Sequence, residues 1–65
     1  MTSSKVQIAA IWIRAYEFAA NNLEYVRRGS IEVRRIYGVE GLYKYKWQGY
    51  SVTRSQAIQR LSREV

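Results

Sequence analysis

Cysteine, histidine and proline are all absent from this 65-residue sequence. Without cysteine there is no disulfide and no thiolate metal site. With no histidine either, a zinc site of the usual donor set is excluded, and no cofactor is expected. A chain of this size buries only about 60% of its unfolded surface, so it depends on good aromatic packing or on self-association for stability. The absence of proline and an apolar content of 48% argue against disorder. The apolar run from Ile8 to Ile13 is six residues long and ends at Arg14. It is too short for a membrane span or a signal-peptide core. A single domain over residues 1–65 is expected, cytoplasmic and without membrane association.

Catalytic residues are scarce as well. The five acidic residues are all glutamates and are spread along the chain. No serine stands beside a histidine base, and Gly38 and Gly41 fit a hairpin turn rather than a phosphate-cradling loop. Lacking metal ligands and a general base with a pKa near neutrality, the sequence reads as a non-enzyme with no small-molecule substrate.

Positive charge is abundant and unevenly placed. In residues 1–26, Lys5 and Arg14 balance Glu17 and Glu24; residues 27–65 hold nine cations against three glutamates. The whole net charge of +6 therefore lies in the second part. Such asymmetry points to an anionic partner, either nucleic acid or an acidic protein surface.

Local patterns give an α+β fold in the order helix, strand, strand, helix, with an antiparallel hairpin packed on the helices. Ser4 with Gln7 forms a capping box, in which each side chain satisfies the other residue's free backbone N–H. Ala9, Trp12, Tyr16, Ala19, Leu23 and Val26 then recur at helical spacing, and the stripe carries the first helix to about Arg28, with Gly29 as its C′ residue. The alternative ends the helix at Asn21-Asn22 and makes residues 23–28 a third strand, giving αβββα. "SIEVRRIYGVEGLYKYKWQGY" reads as a hairpin. A three-residue loop, Val39-Glu40-Gly41 with Gly41 left-handed, would set Tyr37 opposite Tyr43, Arg35 opposite Tyr45 and Val33 opposite Trp47. One face then collects Ile31, Val33, Tyr37, Tyr43, Tyr45 and Trp47 as core, and the other Glu32, Arg34, Lys44 and Lys46. A second capping box, Thr53 with Gln56, opens a terminal helix that buries Ala57, Ile58, Leu61 and Val65.

Two functional surfaces follow. Arg34, Lys44 and Lys46 on the hairpin, extended by Arg54, Arg60 and Arg63 on the terminal helix, form a nucleic-acid-binding set that would contact phosphates. The first helix is apolar around most of its circumference. Ile8, Trp12 and Phe18 mark a protein interface, for a homodimer or for an adaptor or inhibitor of the viral or bacterial accessory type docking onto a larger protein.

Overall fold

The computed structural model describes residues 4–39 and 41–65. Along the chain run α1 (Lys5–Leu23), β1 (Tyr25–Arg28), β2 (Ile31–Arg35), β3 (Tyr43–Trp47), β4 (Tyr50–Val52) and α2 (Arg54–Ser62). The fold is α+β, and the central β2–β3 hairpin packs on helices as the patterning predicts. The strands form one antiparallel sheet in the order β1-β2-β3-β4. Both helices pack on the same side of it: α1 over β1 and β2, α2 over β3 and alongside α1.

Each helix opens on its predicted capping box. The Ser4 hydroxyl accepts the Gln7 N–H and the Gln7 amide oxygen accepts the Ser4 N–H, both at 3.1 Å. Thr53 and Gln56 repeat the arrangement at 3.1 and 3.0 Å. Neither helix has an acidic residue in its first turn, and these reciprocal bonds satisfy the backbone N–H groups of the cap residue and of the third helical residue.

α1 stops at Leu23 rather than running to Arg28. Glu24 takes a left-handed conformation (φ 68°) and donates its N–H to the Ala20 carbonyl at 2.8 Å. Residues 25–28 then form β1, which is the third-strand alternative. As a strand this segment buries Val26 opposite Val33 and pairs an edge of β2 that would otherwise be open. The cation at the helix end comes from a distant position. Arg35 donates from Nη1 to the Asn21 carbonyl at 3.0 Å and lies 3.6 Å from the Glu24 carboxylate, where it complements the negative end of α1. Gly29, expected as a C′ residue, opens the Gly29-Ser30 turn between β1 and β2 with φ 59°.

β4 is an addition to the expected set. Gln48 and Gly49 both have positive φ (50° and 87°), the pattern of a type I′ turn, which reverses the chain so that Tyr50 pairs with Trp47.

The β2–β3 register differs by two residues from the expected one. Arg35 faces Tyr43, Val33 faces Tyr45 and Ile31 faces Trp47. Gly38 as well as Gly41 has positive φ, and the connection lengthens to residues 36–42, closed by a 3.1 Å bond from the Ile36 N–H to the Leu42 carbonyl. A two-residue slip preserves strand parity, so the two faces keep their residues. Tyr37 is the exception: it leaves the expected core and is 87% exposed in the loop.

The core consists of Ala9, Ile13 and Ala20 from α1, Val26, Ile31 and Val33 from the sheet, and Ala57 and Leu61 from α2. Tyr43, Tyr45, Trp47, Val52, Ile58 and Val65 pack around it, half-buried. α1 is turned relative to the expected stripe. Ile13 is fully buried between two alanines that admit close approach, while Leu23 is exposed and Trp12 is partly so.

Candidate anion-binding face

Strand alternation decides which side chains leave the core. On the side of the sheet away from the helices stand Tyr25 and Arg27 of β1, Glu32 and Arg34 of β2, Lys44 and Lys46 of β3, and Ser51 of β4. The register sets them in two rows, Arg27–Glu32–Lys46–Ser51 and Tyr25–Arg34–Lys44. Neighbours across strands lie about 5 Å apart at Cβ, and Lys44 and Lys46, two residues apart on one strand, are separated by about 6.6 Å. Four cations thus share one patch with a single carboxylate.

That carboxylate is held by a tyrosine. The Tyr25 hydroxyl donates to Glu32 Oε1 at 2.5 Å. The Arg34 guanidinium lies over the Tyr25 ring, 4.8 Å from its centroid, a cation–π contact. The hydrogen bond to Glu32 raises the Tyr25 pKa above its ordinary value, and burial adds to the shift. The phenol therefore stays a neutral donor at physiological pH.

The two ion pairs among the described residues lie elsewhere, at Arg35–Glu24 and Arg54–Glu17. Arg27, Arg34, Lys44 and Lys46 make none. Arg34 and Lys44 stand directly opposite each other, and like charges so placed cost stability. Tyr25, Glu32, Arg34, Lys44, Lys46 and Ser51 line a shallow depression of ≈ 390 Å³ on this face.

The helix-side cations have different surroundings. Arg54 borders an open depression at the β3–β4 edge together with Lys44 and Lys46. Its guanidinium is nevertheless committed to Glu17, at 2.8 and 3.3 Å, and this hydrogen bonding raises its pKa. Glu17 also accepts the Tyr45 hydroxyl. Burial and that bond push the Tyr45 phenol well above its ordinary range. Arg60 and Arg63 are exposed at the end of α2, in the helix layer behind the sheet.

The fold therefore brings Arg34, Lys44 and Lys46 together, ties Arg54 to the helix layer and separates Arg60 and Arg63 from the sheet's open side. It adds Arg27 and Tyr25, which only the strand alternative for residues 23–28 could have placed there: two apart, they share strand parity. Of the expected interface residues on α1, Ile8 is half-buried, Trp12 is 39% exposed and Phe18 is 73% exposed.

Among the described residues there is no acidic or metal-ligating cluster able to hold an ion, and no helix long and apolar enough to cross a membrane. No family model matches the sequence, and neither a curated protein nor a solved structure matches it.

Proposed function

We propose that this chain is a small, non-catalytic module that binds nucleic acid through the open side of its sheet, with Arg27, Arg34, Lys44 and Lys46 contacting phosphates. The observation that carries this reading is the group of four exposed cations that, among the described residues, have no carboxylate partner and stand on a sheet face no helix packs against. A polyanion would relieve their mutual repulsion and release its own counterions on binding. Regular spacing along and across the strands suits a partner whose charges repeat. Tyr25 has one ring face covered by Arg34 and its hydroxyl held by Glu32, which favours contact with the backbone over stacking of bases.

Affinity for duplex and single-stranded DNA, measured across a salt series, tests this. Four phosphate contacts give a slope of log K against log salt of about −3 to −4, and reversing Lys44 and Lys46 to glutamate abolishes binding. Binding indifferent to both salt and charge reversal would rule the reading out. An acidic protein surface would engage the same cations. Capture experiments with and without nuclease separate the two: a protein partner survives the digestion and a nucleic acid does not.

A further inference from the structure

We propose that the outward flank of α1 joins two copies of this chain back to back. Ile8, Ile11, Ala15, Phe18 and Asn22 follow one another at alternating spacings of three and four, the spacing of a helix–helix seam. Ile11 is 62% exposed and Phe18 73%; Ala15 and Asn22 are also exposed, and Ile8 is half-buried. At 100° per residue the seam lies nearly opposite the buried line of Ala9, Ile13 and Ala20. From Ile11 to Asn22 every seam residue is exposed.

Area and charge identify the occupant as a second copy. With Trp12 at its edge, the flank exposes roughly 400 Å² of apolar surface, judged from aromatic side chains of about 150–250 Å² each. A standard interface buries about 800 Å² per partner, so the apolar seam supplies about half of it and exposed Gln7, Arg14 and Asn21 border it as a polar rim. The seam itself carries no charge, and it lies in the part of the chain where cations and glutamates balance. Arg14 is the one cation bordering the seam, so two molecules of net charge +6 meet less repulsion through this side than through the sheet, where four cations of each copy would be opposed.

The seam is also nearly symmetric about Ala15. Antiparallel packing about a two-fold axis sets Ile11 of one copy against Phe18 of the other and Ala15 against itself, where a small side chain lets the helices close. The result is a sheet–helix–helix–sheet stack with the two cationic faces on opposite outer surfaces. If those faces bind nucleic acid as proposed above, the dimer holds two segments together rather than gripping one.

The cysteine-free sequence makes the arrangement testable. Helix axes about 8–10 Å apart bring facing Cα atoms at a crossing within disulfide range. Ala15→Cys should oxidise almost completely to a linked dimer, and Ser51→Cys, on the far side of the sheet, should not. Sedimentation should give the dimer mass for the native chain and the monomer mass for Phe18→Glu and Ile11→Glu, with unchanged circular dichroism. A native monomer at high micromolar concentration, or cross-linking no faster at Ala15→Cys than at Ser51→Cys, would overturn the proposal. Recruitment of a labelled duplex to an immobilised one reads the back-to-back geometry separately. A dimer that binds duplex yet never bridges two overturns that geometry. A dimer that binds no duplex supports the interface and removes the nucleic-acid reading instead.

Discussion

The two faces of the sheet use alternate residues of the same strands, yet they treat charge in opposite ways. On the helix side, the partly buried Glu17 is answered twice, by Arg54 and by the Tyr45 hydroxyl. On the open side four cations crowd together, and the one carboxylate present is engaged by Tyr25. A charge near the core must be paired or the fold suffers. On the open face water pays that cost, so unpaired charge persists there and is available to a partner. Chemistry that holds the molecule together is thus separated, strand by strand, from chemistry that can be offered outward.

Substitutions at neighbouring positions should break this division cleanly. Ile31 is 1% exposed, and Ile31→Ala should cost about 2–5 kcal/mol in urea unfolding, a large fraction of the stability of so small a domain. Charge reversal at Lys44 and Lys46, facing the other way, should leave unfolding within about 0.5 kcal/mol of the native value and act only on the proposed nucleic-acid binding. If the double reversal instead unfolded the chain, the two faces would not be independent.

Tyr45→Phe tests the pairing near the core and should cost about 1 kcal/mol. It also carries a pH signature. A phenol whose pKa is raised above its ordinary 10.0 holds its proton more tightly in the folded state. Stability is therefore unaffected by this group below about pH 10 and falls as pH rises above it. The native chain should lose more stability there than Tyr45→Phe. The smallest effect is expected at the β3–β4 turn, which both faces share. Asparagine accepts the left-handed conformation better than glutamine, so Gln48→Asn should stabilise the fold by a few tenths of a kcal/mol, visible as a higher denaturation midpoint, and leave binding unchanged.

The separation of faces was legible because alternation survives a register error. Both capping boxes were legible too, since each is a local, reciprocal pattern. The end of α1 was harder to read. Asn21 and Asn22 are better left-handed candidates than Glu24, and what places the break is the pairing of β1 with β2, a contact between residues distant in sequence. β4 is hidden in the sequence because its turn, Gln48-Gly49, lacks the Asn or Asp that usually marks a two-residue hairpin. Tyr37 falls in the core only if Gly41 alone is left-handed, and Gly38 adopts that conformation as well. At the candidate site, Arg34, Lys44 and Lys46 followed from parity. Arg54 could not be excluded from sequence, since its partner Glu17 lies 37 positions away.

Glu24 alone links α1 to β1, so the helix and the first strand form a joint with no spare chain. The β1–β2 register is set by the Gly29-Ser30 turn, so lengthening the joint would leave Val26 facing inward but let α1 shift over the sheet and lose its packing on Val26, Ile31 and Val33. The connection between β2 and β3 has the opposite tolerance: Tyr37, Gly38, Val39, Gly41 and Leu42 are exposed, and no strand pairing lies beyond the Ile36–Leu42 bond. A fluorophore, affinity tag or grafted peptide belongs in that loop, and a fusion at the Glu24 joint would loosen the helix–sheet packing it was meant to report on.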